Sequence, residues 1–359
     1  MEKLFLLDAY ALIYRAYYAF IKNPRINSKG FNTSAVLGFV NTLEEVLRKE
    51  EPTHIGIAFD PPGPTFRHNA FAAYKAQREE TPEVIKWSVT PIKDIIKAYR
   101  IPILEIRGYE ADDVIGTLAT QAGKRGINTY MMTPDKDYGQ LVSEHVFMYR
   151  PKYGDKDFDI MGVDEVKEKF NIESPAQVID MLGLMGDTAD NIPGCPGVGE
   201  KTAQKLIAQF GSIESLLAHT DELKGAIKKK VEENEEQIRF SKFLATIKTD
   251  VPVELDMETL KRREPDEKEL RRIFEQLEFR TLIERVLNGE KKSAPATPAQ
   301  PDLFGFFTDN GTEETKNSNL TRLDNLHYDY KLVDNEEKMR DLFQKLITTQ
   351  VLSLDTETT

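Results

Sequence analysis

Cysteine is almost missing. Cys195 stands alone among 359 residues, so no internal disulfide can form, and this usage fits a reducing cytosol. The residue itself reads as a small filler within a turn. Tryptophan occurs once, as Trp87, and reads as packing. No apolar run is long enough to cross a bilayer, which excludes a transmembrane helix and membrane chemistry. The short apolar run at residues 4–7 ends in Asp8 without a small-residue cleavage site, so it reads as a first strand and not a signal peptide. A cytoplasmic protein follows from these absences. Net positive charge is missing too. The formal charge is −12, which argues against a nucleic-acid partner until its distribution is considered. Residues 289–359 hold 8 basic and 13 acidic residues, leaving −7 for residues 1–288. With nine carboxylates of that part set aside as facing cations, the remainder is +2. The acidity is no veto.

What the chain does have is a recurring theme of a short apolar strand closed by an acid. Residues 4–8 end at Asp8 and residues 54–60 at Asp60. The strand near 104 runs into Glu110, Asp112 and Asp113, and that near 128 into Asp135 and Asp137. Strands alternating with helices predict a mostly parallel α/β sheet, and ligands of such sheets gather outside the carboxyl ends of the strands. Any one of these acids could be a helix cap or a turn residue. Capping does not explain their recurrence at corresponding ends. So many acids in one cleft would repel one another unless divalent cations neutralised them, and a two-metal site is the simplest solution.

A fifth group follows in the stretch Gly183 to Ala203, where Asp187 and Asp190 precede a Gly/Pro-punctuated hairpin and a new helix. Gly197 and Gly199 leave backbone N–H groups open to a phosphate, and the next helix offers its positive end. A P-loop is rejected, because Glu200 separates Gly199 from Lys201 and no strand precedes. Between the second and third acidic groups, Lys75 and Arg78 lie three apart beside Tyr74, on a segment expected to be helical. Cations beside an aromatic suit a backbone phosphate with a stacked base, although a solvated helix with a buried tyrosine fits the same residues.

Residues 164–288 read as wholly helical. From 289 to about 320 the composition turns to Ala, Pro, Thr, Asn and Gly, as in a disordered linker. An apolar island there, Gln300-Pro-Asp302-Leu303-Phe304, is similar to the short peptides by which bacterial replication proteins dock on the sliding clamp. Two strands and a helix follow, ending in Asp355-Thr-Glu357. Some forty residues cannot close a core alone, so the chain is expected to be a truncated piece of a longer one.

Taken together, Leu-Leu-Asp8 with Ile-Tyr-Arg15-Ala-Tyr-Tyr-Ala-Phe, Ala-Phe-Asp60, Thr-Phe-Arg67, Tyr74-Lys75-x-x-Arg78, Glu110-Ala-Asp-Asp-Val, Asp135-Lys-Asp137 and Gly-Asp187-x-x-Asp190-Asn-Ile-Pro-Gly-x-Pro-Gly-Val-Gly-Glu-Lys-Thr-Ala resemble the bacterial DNA polymerase I family. Residues 1–288 match its 5′ nuclease (flap endonuclease) part, and 321–359 match the opening of its proofreading exonuclease, with Asp355 and Glu357 as that site's first two acids. One departure is Thr133-Pro134-Asp135, where many relatives have Thr-Gly-Asp; a proline can hold the same turn.

The resemblance implies a PIN-like α/β catalytic domain over 1–163 with a helical arch near 62–100. An all-α subdomain with a helix–hairpin–helix over 164–288 would follow. It implies two Mg²⁺ or Mn²⁺ ions, one held by Asp8, Asp60, Glu110 and Asp112. The other would be held by Asp135, Asp137 and Asp187, with Asp112 shared and Asp113 and Asp190 close by. Lys75 and Arg78 would polarise the scissile phosphate, and Tyr74 would stack on a base. Arg15, Arg67 and the hairpin residues Gly194, Gly197, Val198, Gly199, Lys201 and Thr202 would grip DNA, with K⁺ at the hairpin. The expected substrates are DNA with 5′ flaps, nicks or RNA primers, in replication and repair. The rivals are a non-catalytic DNA-binding scaffold, which predicts lost carboxylates, and a PIN-like ribonuclease, which would lack the hairpin and the arch.

Overall fold

The computed structural model of the chain describes residues 2–151, 158–288, 333 and 335–348. Six strands form one sheet: β1 (Lys3–Asp8), β2 (His54–Ala58), β3 (Ile103–Leu104), β4 (Asn128–Met132), β5 (Val146–Pro151) and β6 (Phe158–Met161). Their order is β3-β2-β1-β4-β5-β6, parallel throughout except for β6, which runs antiparallel to β5. β1 lies between β2 and β4 and is apolar on both sides because both of its faces are covered. Leu4 and Leu6 join one core, Phe5 and Leu7 the other.

The face carrying Phe5 and Leu7 is covered by α1 (Ala9–Ala19), α2 (Ser34–Lys49) and α4 (Glu83–Ala98), which bury Ile13, Phe39, Ile92 and Ile96. The expected arch near 62–100 is thereby corrected. Only α3 (Phe66–Ala70) and a run of turns over 72–77 leave the sheet, while α4 lies on it with an inner face that is apolar apart from Ser88, whose hydroxyl donates to Val84 O. Trp87 on α4 is half-buried and stacks on Phe31 at 5.2 Å.

The opposite face packs against α5 (Ala111–Lys124) and then, without a break in the core, against helical segments. These are α6 (Val163–Phe170), α7 (Gln177–Met185), α8 (Glu200–Phe210), α9 (Ile213–Ala218), α10 (Gly225–Glu233), α11 (Glu235–Ala245) and α12 (Met257–Leu260). Leu4 and Met131 of the sheet share a cluster with Met181, Leu206 and Leu244. The chain then crosses back. In α13 (Glu267–Leu277) and α14 (Arg280–Leu282), Ile273, Phe274 and Leu282 join the core of the α1, α2 and α4 face. The segment 164–288, read from sequence as one helical part, thus divides between the two faces of the sheet. A separate compact unit spans Asp309–Thr359, in which α15 (Glu336–Thr348) is described. The linker expected at 289–320, the clamp peptide at Gln300–Phe304, and Asp355 and Glu357 lie outside the described residues.

Candidate active site and nucleic-acid interface

Four of these acids cap or brace the backbone beside them. Asp8 caps α1 by accepting from the Ala11 amide at 3.1 Å. Asp60 accepts from the Ala111 amide at 2.7 Å, capping α5 from the end of the neighbouring strand. Asp135 accepts from the Asp137 amide at 3.0 Å, and Asp187 from the Ala189 amide at 2.8 Å. Capping therefore aims the carboxylates and fixes their rotamers without consuming all their lone pairs. Asp137 keeps one buried oxygen, Oδ1, with no hydrogen-bond partner at all. A buried, unpartnered carboxylate oxygen is costly, and it marks where an electropositive group belongs.

The acids converge. The buried Tyr138 hydroxyl donates to Asp8 Oδ2 at 3.4 Å, and it is pushed well above its ordinary range by burial and then by the charges of Asp8, Asp112, Asp135 and Asp60. Burial, then the charge of Asp60, then that of Asp135 push the Asp8 carboxyl up to about 7, with the Ala11 amide opposing. Burial and then Asp135 and Asp187 raise Asp137 well above the usual carboxylate range. Burial and then Asp113 do the same for Asp112. Oxygen-only donors under mutual repulsion suit a hard divalent cation, and the residues present fit one. Cationic side chains stand among them instead. Lys75 Nζ is 3.0 Å from Glu110 Oε2 and 3.8 Å from Asp190, Arg78 pairs with Asp190, and Lys136 lies 3.0 Å from Asp187. Accordingly, among the described residues no three acids form a finished ligand set around one point. Asp190 is held below the ordinary range, because Lys75 and Arg78 outweigh the cost of its burial.

Three expected roles are corrected. Arg67, placed on DNA by its charge, is 1% exposed. Its guanidinium donates to Leu244 O at 2.9 Å and Thr246 O at 2.7 Å, and both terminal nitrogens reach Asp113 at 2.8 Å, with Glu110 at 3.2 Å. Asp113, expected near metal, is fully buried and spent on that pair and on the Lys248 and Glu110 amides. Tyr74, expected to stack on a base, is buried, and its hydroxyl donates to Glu110 at 3.0 Å and Asp190 at 3.1 Å. Lys75 and Arg78 also lie on turns and not on a helix. Lys75 has φ 56°, and its amide donates to Asp190 O. Arg15 sits partly buried on α1.

In the hairpin, Gly186 (φ 72°) and Gly194 (φ 62°) are forced by contact, since a Cβ on either would strike the backbone of the other's neighbourhood. Gly194 is buried, its amide donating to Ser241 and its carbonyl accepting from Gln237. Val198 is buried too, with its amide given to Cys195 O. These two are structural, contrary to expectation. Gly197 and Gly199 are exposed, and a Cβ at Gly199 would meet open space. Lys201 is exposed and Thr202 half-buried on the first turn of α8, whose leading amides have no partner four residues back.

Sequence reasoning missed two cations of the site. An open cleft of about 710 Å³ is lined by Asp135, Asp137, Asp187 and Asp190 together with Arg150 and Lys169. Arg150 is the penultimate residue of β5, near the strand end as the acids are, which was the available signal.

Two family models match the chain. The 5′-3′ exonuclease N-terminal resolvase-like domain matches residues 3–171, and the 5′-3′ exonuclease C-terminal SAM fold matches residues 173–268. A 5′-3′ exonuclease of Aquifex aeolicus is 36% identical over 286 residues, covering 80% of this chain and 96% of that protein. DNA polymerase I of Bacillus caldotenax is 41% identical over 315 residues, covering 87% of this chain and 35% of the relative. The chain thus spans about a third of the length of the polymerases it matches. Among solved structures, bacteriophage T5 flap endonuclease in a complex with DNA and metal ions shares the fold, with a TM-score of 0.57 at 20% identity over 77% of this chain and all of that one.

Proposed function

The chain belongs to the 5′-3′ exonuclease family, and from that premise we propose that residues 2–288 cut 5′ flaps, nicked strands and RNA primers in a sequence-independent, metal-dependent reaction. The gathering of Asp135, Asp137, Asp187 and Asp190 on one open cleft, with a buried oxygen of Asp137 left unpartnered, carries the reading. Divalent ions held by Asp8, Asp60, Glu110 and Asp112, and by Asp135, Asp137 and Asp187, would supply a hydroxide nucleophile and offset charge on the leaving oxygen. The T5 enzyme's complex with DNA and metal ions supports that direction.

The chain's own residues do the rest. Arg67 and Asp113 lock the start of α5 and so fix Glu110. The Tyr74 hydroxyl bridges Glu110 and Asp190, which holds the turn bearing Lys75 and Arg78 over the acids. An incoming phosphate competes for those two cations, which then orient it and spread its charge. The exposed Gly197, Gly199 and Lys201 present the α8 amides to duplex backbone, where K⁺ could share the hairpin carbonyls. The proposal extends to a polymerase-bearing parent in a bacterial cytoplasm. It also includes clamp docking through Gln300, Asp302, Leu303 and Phe304, which a clamp pull-down unaffected by Leu303→Ala with Phe304→Ala would refute.

The direct test is Mg²⁺-dependent cleavage of a 5′-flap DNA. Asp112→Ala and Asp187→Ala should each lower the rate at least ~100-fold while leaving the fold intact. Equal cleavage by wild type and both variants would end the proposal.

A further inference from the structure

In a chain of net charge −12, two cations that line the cleft form no ion pair among the described residues. Arg150 stands near the end of β5. Its terminal nitrogens donate to Pro134 O at 3.2 Å and touch Met161 Sδ at 3.5 Å, which pins the guanidinium, while its buried Nε has no hydrogen-bond partner. Lys169, on the last turn of α6, lies over the Phe170 ring at 5.6 Å. Neither forms an ion pair among the described residues. Of the other charges on this cleft, Glu200 is exposed on the first turn of α8, and the rest are paired or face the cation site. Lys136 is paired with Asp187 and Arg78 with Asp190, while Asp135 and Asp137 face the cation site. Burial and the nearby charges of Arg150 and Lys136 hold the Lys169 ammonium below its ordinary range, as expected where like charges gather without a counter-ion.

Two like charges brought close repel, and an anion seated between them relieves that repulsion. Their placement limits which anion. They share the cleft with Asp135 and Asp137 but stand on β5 and α6, elements distinct from the turn that carries Lys75 and Arg78. A carboxylate presents two oxygens in one plane, fewer than a phosphate offers to a guanidinium fork and an ammonium together. A phosphate lying between that turn's cations and this pair would bridge them.

We propose that Arg150 and Lys169 form a second phosphate subsite, which takes a nucleic-acid phosphate next to the scissile one. The inference rests on the nuclease reading for its substrate and adds the residues that hold the strand on this side of the cleft. Two sources share that chemistry, an internal phosphodiester and a terminal 5′-phosphate. Arg, with its fixed fork, sets the position, and Lys adds charge without demanding geometry.

The test is the affinity of a 5′-flap DNA, measured by fluorescence anisotropy with Ca²⁺ between 50 and 300 mM salt, for wild type, Arg150→Gln and Lys169→Ala. Lys97→Ala, an exposed lysine on α4 far from the cleft residues, is the control. Lys169 is exposed, so its variant keeps the fold, which thermal melting verifies. Each cleft variant should bind about 3–10-fold more weakly, with the salt slope reduced by about one, and the control should match wild type. If the loss appears only on 5′-phosphorylated DNA, the terminal phosphate is the occupant. If it appears equally on 5′-hydroxyl DNA, an internal diester is. Wild-type affinity and slope in both variants on both DNAs would overturn the subsite. Failure of wild type to cut with Mg²⁺ would overturn the nuclease reading instead, leaving these affinities to be judged separately.

Discussion

At the scale of single residues, the site is a store of electrostatic strain. Asp8 is the clearest case. Its carboxyl is raised to about 7, so between the unfolded value near 3.8 and 7 the folded state binds more protons than the unfolded one. Stability must then fall as pH rises through that window, and the cost is fully present above 7. Asp8→Asn keeps an acceptor for the Ala11 amide and removes the charge. In EDTA at pH 8 the variant should be more stable than wild type by ~1–3 kcal/mol, with the difference vanishing near pH 4, as read by thermal unfolding. A constant difference across pH would reject this account of Asp8. Arg67 makes the opposite prediction. Arg67→Met strands the buried Asp113 charge and should cost ~3–5 kcal/mol in denaturant unfolding, whereas Arg67→Met with Asp113→Leu should recover much of it.

At the scale of elements, the strand-end acids were legible in sequence because a parallel sheet puts every strand's carboxyl end on one edge. Exposure was not legible. Arg67, Tyr74 and Asp113 have the residue types of a DNA or metal contact, but their partners lie 177, 36 and 135 positions away in the chain, at Leu244, Glu110 and Lys248. No local pattern encodes such contacts. Lys75 and Arg78 looked helical by spacing, but α3 ends at Ala70 with Phe71 extended, and Lys75 has a positive φ within the turns that follow. The return of α13 to the far face was hidden for the same reason, since amphipathic spacing states that a face is buried and not against what. The hairpin separates two kinds of glycine. Gly194→Ala should cost about 2 kcal/mol or more, because φ is positive and the Cβ strikes backbone. Gly199→Ala, with φ −96° and open space, should leave stability within ~1 kcal/mol yet weaken duplex binding, since its new Cβ stands where a phosphate would approach. Equal stability losses in the two variants would contradict this division.

At the scale of the whole molecule, two cores on opposite faces of one sheet are joined through the acidic edge. The buried Arg67 ties the start of α5 to the end of α11, so the helical part and the acids share one frame. Anything that binds the acids should therefore stabilise the whole nuclease unit and not a loop of it. The central claim is that acids from five separate segments meet as one site for divalent cations. Calorimetric titration of the metal-free protein with Mn²⁺ at pH 8 tests it most directly. The account predicts uptake of two ions per chain, with one lost in Asp187→Asn and uptake weakened in Asp8→Asn. No uptake by the wild type, or identical uptake by all three proteins, would contradict it.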